Sequence, residues 1–495
     1  MSVASAFRRG LIRSAPVPRA CVRLLIAIVA IAGCGARQGP PYENAIIVVV
    51  DALRADHLGC YGYDRPTSPS IDALAARGTR FAQAICPAPW TLPAMATLWT
   101  GLLPSVHGAM QASDMNAWIA RAPRFRPTSV LDQSRTTLPE VLRAHGIDTA
   151  AFVAGSYPSA VFGMAQGFET FVDRGLFGPR MQVEALWSWL DKAPHPRFFV
   201  YLHVMSVHSP YQPPGADLRD MPPGKQRAAI SAALAEEHRR WTELAFDPGY
   251  TGSIDGSWEA LKEIRMKGLP PPADLAHLAA LYDQGIRYTD HWIGELADGL
   301  EARGLTGNTL LVVTADHGEE LGDHGGLEHT RTFYEEVMCI PLIVDAPGLP
   351  SGQVVTTQVG LVDLFPTVLD VMGVFYDGPV QGISLRPALE GRPLPERDMV
   401  GEGSQVAGRR ALRTATHKFI VEKDGEEELY DLRRDPAERQ NLCVPDAAPC
   451  APFRERLAAQ GAASAAFQAR ANLPAPKTAV INDETRRKLE ALGYH

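Results

Sequence analysis

Three uninterrupted apolar runs stand out along the chain: Ala45 to Val50, Phe198 to Val204 and Thr309 to Ala315. Runs without polar alternation predict strands buried on both faces, as in a parallel sheet covered by helices. Thr149 to Val153 reads as a further strand, and Cys339 to Val344 returns to the same sheet. Between the runs the period lengthens. Ser68 to Gly78 carries a cap, a Pro at the first turn and a Gly stop, and Thr137 to His145 is amphipathic with Gly146 ending it. Leu275, Leu278, Tyr282, Ile286, Ile293, Leu296 and Leu300 follow helical spacing up to Gly304, with Asp283 and Asp290 read as its solvated face. Strands alternating with helices predict an α/β fold, a doubly wound and mostly parallel sheet flanked by helices. From residue 398 the texture changes to short strands and charged turns, including Lys418 to Val421 and Leu429 to Leu432, which predicts a small C-terminal α+β subdomain.

The N-terminus belongs to no such pattern. Arg8, Arg9, Arg13, Arg19 and Arg23 precede the apolar run Leu24 to Ile31, and Ile31-Ala32-Gly33-Cys34 resembles a bacterial lipobox. The expectation is an export signal over residues 1–33, lipid on Cys34, and a surface location facing the periplasm or cell exterior. The Gly/Pro-bearing linker 34–43 then lifts the domain off its anchor. The remaining boundaries are a catalytic domain over 44–397, a β-rich subdomain over 398–445, and a tail over 446–495 that mixes Pro/Ala-rich linker with an amphipathic ending from Glu484 to Leu492.

The 495 residues are 46% hydrophobic and 21% charged, ample for a large core. Losing residues 1–33 removes five arginines and no acids, so the net charge falls from −8 to −13. So acidic a chain is a poor partner for nucleic acid; its membrane contact would run through the anchor. Beyond Cys34 the cysteines are Cys60, Cys86, Cys339, Cys443 and Cys450, with no zinc-site spacing. Cys443 and Cys450 lie close enough in sequence to pair in an oxidising compartment, and spacing does not decide it.

Candidate chemistry gathers where strands end. Asp51 follows the first run, Asp316-His317-Gly318 the third, and His208 lies just past the second. Ligands in open α/β sheets collect at the carboxyl ends of strands, and an Asp-His pair there is a plausible metal clamp. Thr91 opens the Ala-rich run Leu92 to Thr100 and reads first as a helix N-cap. A helix N-terminus also suits an anion bound at that hydroxyl. The loop after Asp316 continues through Glu319, Glu320, Asp323, His324 and His329. Spacing leaves open whether His203, His208, His324 or His329 build a second metal site. Residues 213–275, rich in Pro, Gly and charge, predict an excursion over this edge, where substrate choice would sit.

Taken in order, Val50-Asp51-Ala52-Leu53-Arg54, Leu98-Trp99-Thr100-Gly101 with His107-Gly108, Thr314-Ala315-Asp316-His317-Gly318-Glu319, Tyr334-Glu335-Glu336, Val362-Asp363-Leu364-Phe365-Pro366-Thr367 and Leu429-Tyr430-Asp431-Leu432 resemble the sulfatase family of the alkaline-phosphatase superfamily. The resemblance implies an alkaline-phosphatase-like fold. It implies Asp51, Thr91, Asp316 and His317 as ligands of a divalent cation (Ca, Zn or Mn), with Thr91 also in the slot of the nucleophile. In sulfatases proper that slot is a Cys or Ser converted to formylglycine within Cys/Ser-x-Pro-x-Arg. Here Thr91-Leu92-Pro93-Ala94-Met95 keeps the Pro and lacks both the convertible residue and the Arg. Cys86 sits five residues too early, with Trp90 where the Arg would be. Ala154-Gly155-Ser156-Tyr157 replaces a sulfate-binding Gly-Lys-Trp-x-His element, and Ala52 stands where many sulfatases have a second metal-binding Asp. A Thr in the slot resembles phosphodiesterase, pyrophosphatase and phosphoglycerol-transferase relatives instead.

The function so implied is metal-dependent hydrolysis of anionic esters through a covalent Thr91 intermediate, with His208 and His329 protonating the leaving oxygen or holding the anion. Phosphate esters or diesters stand slightly ahead of sulfate esters, carried on a small-molecule, glycan or lipid substrate. The competing expectation is a surface lipoprotein that keeps the fold to bind and has lost the chemistry.

Overall fold

The computed structural model describes residues 42–110, 128–155, 157–173, 178–212, 235–247, 249–406, 408–443, 448–474 and 478–479. The signal segment, Cys34, most of the linker, residues 213–234 of the excursion and the Glu484 to Leu492 ending lie outside the described residues.

The long apolar runs form the centre of a nine-stranded sheet. In chain order its strands are β1 (Asn44–Val50), β2 (Thr79–Ile85), β3 (Asp148–Val153), β4 (Thr170–Val172), β5 (Phe198–Val204), β6 (Thr309–Thr314), β7 (Cys339–Asp345), β8 (Gln353–Val355) and β9 (Val359–Gly360). The spatial order is β8-β2-β7-β6-β1-β5-β3-β4, with β9 also paired to β2. β1 lies between β5 and β6, parallel to both, in the register Val49 to His203 and Val49 to Thr314. Every residue of β1, β5 and β6 is buried, which is why these strands read as unbroken apolar runs. β7 runs antiparallel to both β2 and β6, so the sheet is mixed, though parallel through its centre.

The main helices of the large unit are α1 (Pro69–Arg77), α2 (Thr91–Thr100), α3 (Leu138–Ala144), α4 (Pro179–Lys192), α5 (Trp258–Lys267), α6 (Pro272–Ala302) and α7 (Leu364–Val371). Thr137 and Glu140 close a reciprocal capping box on α3. The cap of α1 differs from the sequence expectation. The Ser68 side chain bonds Gly59 N–H and Asp72, while the Ser70 and Ile71 amides donate to Asp290 at 3.0 and 2.7 Å. Asp290 and Asp283 are therefore not a solvated face. Burial pushes the Asp290 carboxyl up to about 6 even though two amides oppose it. Asp283 is fully buried between His57 at 2.6 Å, Tyr63 at 2.7 Å and Arg65 at 2.8 Å. Helical spacing alone gave no sign that α6 is wrapped on more than one side.

The C-terminal region is a four-stranded antiparallel sheet, β10 (Met399–Gly401), β11 (Arg410–Arg413), β12 (His417–Val421) and β13 (Glu427–Asp431), in sequential order. Its own apolar cluster is Val400, Leu412, Phe419, Leu429, Cys450 and Leu457. Helix α8 (Ala451–Arg470) supplies Leu457 from within the stretch read as tail. Ala-rich sequence forms helix readily, but with only Leu457 and Ser464 buried it shows no apolar stripe to reveal it. Cys443 and Cys450 form a disulfide at the entry to this helix.

Candidate active site

Because β6, β1 and β5 are neighbours and parallel, the residues just beyond their carboxyl ends share one edge. Asp316-His317 follows β6, Asp51 follows β1, and Met205 to His208 follows β5. Ala52 takes a left-handed conformation, φ 62°, unusual for a residue with a Cβ. Its amide donates to Asp316 Oδ1 at 3.3 Å, and its carbonyl accepts from the Tyr282 hydroxyl at 2.7 Å, so the turn that ends β1 is pinned to both β6 and α6.

Ligand atoms of Asp51, Asp316 and His317 lie within 4.8 Å of one another, all three buried. His317 Nε2 is 3.3 Å from Asp51 Oδ1 and 3.4 Å from Asp316 Oδ2, while its Nδ1 donates to the Gly318 carbonyl at 2.9 Å. That carbonyl fixes the tautomer and leaves Nε2 facing the carboxylates. Asp51 Oδ1 and Asp316 Oδ2 are buried and have no hydrogen-bond partner. Two adjacent buried carboxylates with orphaned oxygens demand positive charge, and an oxygen-oxygen-nitrogen set suits a divalent cation. The residues present therefore fit the cation that the sequence implies. Burial alone would raise the Asp51 carboxyl, yet His208, His317 and His203 outweigh it and hold it below the usual carboxylate range. Burial alone would lower the His317 imidazole, and Asp316 and Asp51 instead lift it to about 9.

Thr91 joins this group. It is not the N-cap but the first helical residue of α2; Trp90 occupies the cap position and makes no side-chain cap bond. The Thr91 hydroxyl instead stands 3.4 Å from Asp51 Oδ2 and 3.4 Å from His317 Nε2, with the residue 1% exposed. Cys86 is elsewhere, buried against the Ala88 and Val337 carbonyls, with burial pushing its thiol up. Tyr157, in the segment that replaces the sulfate-binding element, packs edge-on against Trp90.

His208 and His329 come together above this group. Their ring centroids are 4.8 Å apart, and His329 lies 4.3 Å from His317. His329 sits between two residues of positive φ, Glu328 at 68° and Thr330 at 86°, a strained turn for non-glycine residues. Neighbours hold it there. Glu328 meets Arg265 of α5 and accepts from Ser209 at 3.1 Å, and the Thr330 amide donates to Pro89 at 2.7 Å. His329 Nδ1 faces Glu319 Oε1 at 2.9 Å. Burial, then the charges of His317 and His208, hold the His329 imidazole well below its ordinary value, while burial and Glu328 hold Glu319 above its own. Arg265 belongs to the Pro/Gly-rich excursion, whose described part thus borders the site.

His324 does not join. It stacks on Tyr334 at 3.7 Å and bonds Glu336 at 2.6 Å, and Asp323 pairs with Arg54 at 2.7 Å. Sequence reasoning left His203 undecided, and the structure places it beside the two carboxylates: its Nε2 is 3.7 Å from Asp51 Oδ2 and 3.9 Å from Asp316 Oδ2. A lone imidazole inside a doubly buried strand was the signal for it.

Known proteins show the same frame. The family model described as Sulfatase matches residues 43–374, and one described as N-sulphoglucosamine sulphohydrolase, C-terminal, matches residues 322–459. A Delta 4,5-hexuronate-2-O-sulfatase of Bacteroides thetaiotaomicron is 24% identical over 456 residues, covering 83% of this chain and 86% of its own. Arylsulfatase K of Homo sapiens is 25% identical over 467 residues, covering 83% and 81%. Among solved structures, the phosphonate monoester hydrolase of Agrobacterium radiobacter superimposes with a TM-score of 0.63 at 21% identity, covering 86% of this chain and 96% of that one. A protein solved with its substrate D-glucosamine-2-N,6-O-disulfate gives 0.64 at 21%, covering 87% and 99%. The two structural matches share the fold; the family match runs from the start of β1 to beyond the last strand of the large sheet, and on it the chain belongs to the sulfatase family of ester hydrolases.

Proposed function

We propose that this chain hydrolyses anionic esters, phosphate and phosphonate esters ahead of sulfate esters, by attack of the Thr91 hydroxyl. The observation that carries this is the placement of Thr91 Oγ1 at 3.4 Å from both Asp51 and His317, at the N-terminus of α2. A divalent cation held by Asp51, Asp316 and His317 would offset negative charge on the Thr91 oxygen and on the group in transfer. This chain's own residues do the rest. Asp316 is oriented by the amides of Ala52 and His317 at 3.3 and 3.0 Å, so its second oxygen faces the site. The first-turn amides of α2 suit the transferring group's oxygens. In the first step the Thr91 hydroxyl gives its proton to Asp51 Oδ2, 3.4 Å away, and so to solvent, the Oγ1 bond to phosphorus forms, the ester bond breaks, and the leaving oxygen takes a proton from His208 or His329. An arriving anion favours the protonated form of His329, against the burial that holds it down. Water then attacks the same phosphorus, its proton passing to the imidazole that protonated the leaving group, and the O–P bond to Thr91 breaks as Oγ1 takes a proton back from solvent.

Thr91 sets the preference. A formyl hydrate has two hydroxyls on one carbon, and the second can expel the bound anion; Thr91 has one, so release needs attack at the central atom. Against p-nitrophenyl phosphate, bis-p-nitrophenyl phosphate, p-nitrophenyl phenylphosphonate and p-nitrophenyl sulfate, with Mn²⁺, Zn²⁺ or Ca²⁺ added, the phosphorus esters are expected to turn over at least tenfold faster. Faster sulfate hydrolysis would reverse the ordering. That second reading, a sulfated saccharide as substrate, is supported by the hexuronate sulfatase and the glucosamine disulfate complex among the relatives.

We further propose export and lipid attachment at Cys34, supported by the arginine-rich and apolar segment before it. Intact-mass analysis of the purified protein's first peptide should find a diacylglyceryl-modified Cys34, and an unmodified Cys34 or an uncleaved signal would refute the anchor.

A further inference from the structure

His329 sits in a strained turn, and the mechanism above uses its ring without using what holds its backbone. Glu328 before it has φ 68° and Thr330 after it φ 86°. Strain of this kind persists only where the surroundings over-determine the chain. Within the large unit, Glu319 Oε1 meets the ring at Nδ1, 2.9 Å away, and the Pro89 carbonyl takes the Thr330 amide at 2.7 Å. The carbonyls of Thr330 and Arg331 are taken from elsewhere.

The turn between β10 and β11 takes them both. Its Gln405 amide donates to the Thr330 carbonyl at 2.9 Å, and the Ser404 hydroxyl and Arg409 guanidinium donate to the Arg331 carbonyl at 2.8 and 2.6 Å. An ion pair with Glu422 steadies Arg409 in turn. Arg331 is exposed, so water would satisfy its carbonyl equally well, and two side-chain donors there do more than meet a hydrogen-bond requirement. What else they do shows in the other contacts of the same turn. The Glu402 amide donates to the Pro87 carbonyl at 2.8 Å, and the Gly403 carbonyl accepts from the indole Nε1 of Trp90 at 2.5 Å. Trp90 immediately precedes Thr91. One turn of the C-terminal sheet thus holds both the backbone entering α2 and the backbone leaving His329, and sets one against the other.

We infer that Ser404 and Arg409 are positioning residues for the leaving-group step, acting through the backbone of Thr330 and Arg331 on His329, and that His329 rather than His208 protonates the leaving oxygen. Bond breaking and proton transfer need the attacking oxygen and the proton donor in register, and a misplacement of about 1 Å costs on the order of 100-fold. The turn supplies that register between Thr91 and His329. His208 is oriented by the Ser209 carbonyl beside it and lies outside this brace. The inference rests on the phosphorus-ester reading given above.

Leaving groups of different quality separate positioning from a purely structural role. p-Nitrophenolate departs without a proton, whereas phenolate needs one. In the full chain with Mn²⁺ added, Ser404→Ala combined with Arg409→Met should lower kcat/KM for phenyl phosphate by about 30-fold and for p-nitrophenyl phosphate by less than about threefold, as loss of part of an acid-catalytic contribution would. Arg409→Lys keeps a donor for the Arg331 carbonyl and should stay within about threefold of the unmutated chain on both esters. His329→Ala should show the same selective loss, and a larger one. A double variant that slows both esters alike would reduce the turn to a structural brace and overturn the inference, as would a His329→Ala loss equal on both. No turnover of either ester by the unmutated chain would overturn the phosphorus-ester reading itself, and the inference with it; unmutated turnover with no selective loss in the double variant would overturn the inference alone.

Discussion

Thr91→Ala is expected to lower turnover of the best phosphorus ester by about 10⁵-fold while leaving the chain folded. The substitution takes the hydroxyl and one buried methyl from the centre, and the hydroxyl's contacts to Asp51 and His317, both 3.4 Å, are too long to contribute much stability. Ala is the best helix former, so the first turn of α2 gains what the lost hydroxyl gives up. Thermal unfolding should therefore move by no more than about 1.5 kcal/mol equivalent, the range for losing one buried methyl. Thr91→Ser keeps the oxygen and loses only a methyl, and should retain far more activity than the alanine variant. A mass increment of one phosphoryl group on Thr91 after acid quench would report the covalent step directly. Thr91→Ala with a rate within tenfold of the unmutated enzyme would show that the attacking oxygen comes from water or another side chain.

The sequence revealed most where physics acts on single elements. Unbroken apolar runs gave β1, β5 and β6 nearly to the residue, because strands buried on both faces tolerate no polar position. It was their adjacency, which no run shows by itself, that brought Asp51, Asp316 and His317 to one edge. Thr91 reads as a cap in isolation, since Thr before an apolar Ala-rich run has that meaning far more often than any other. Only the fold shows that its hydroxyl faces the Asp51 carboxylate and His317 while Trp90 takes the cap position. Asp283 and Asp290 were misread for a related reason: periodicity identifies one apolar stripe and assigns the rest to solvent, whereas α6 is also covered by the 57–71 segment, whose His57, Tyr63, Arg65 and free amides need those acids. Helix α8 was missed because its alanines carry propensity and little pattern.

Lys418→Met is expected to destabilise the protein by about 3–5 kcal/mol, as removal of one partner from a buried ionic group usually does. Lys418 is fully buried on β12. Its Nζ donates to the Phe333 carbonyl at 2.8 Å and lies 2.6 Å from Glu335 and 3.4 Å from Glu438. Arg413 of β11 holds Glu335 from the other side with two bonds of 2.9 and 2.8 Å. Two acids and two bases thus balance between the C-terminal sheet and the segment leading into β7. Burial works against the Lys418 ammonium, and Glu335 and Glu438 outweigh it and raise it. Burial likewise drives the Glu438 carboxyl up, with Lys418 opposing, so that it settles at about 7. Remove the lysine, and only the Glu335 amide still opposes the burial of Glu438. Its folded-state value then moves further above the ordinary 4.5. A group raised in the folded state contributes fully below its ordinary value and loses that contribution as pH rises through the folded one. The stability gap between Lys418→Met and the unmutated protein should therefore widen from pH 6 to pH 8 in urea titrations. Adding Glu438→Gln should recover part of the loss and flatten that widening. The consequence reaches the active site, because the Glu335 amide donates to Glu438 at 2.6 Å and Glu335 ends the loop that carries His329. A loss below about 1 kcal/mol, or a gap that does not change with pH, would mean that this cluster is a bystander to folding rather than the clasp between the two sheets.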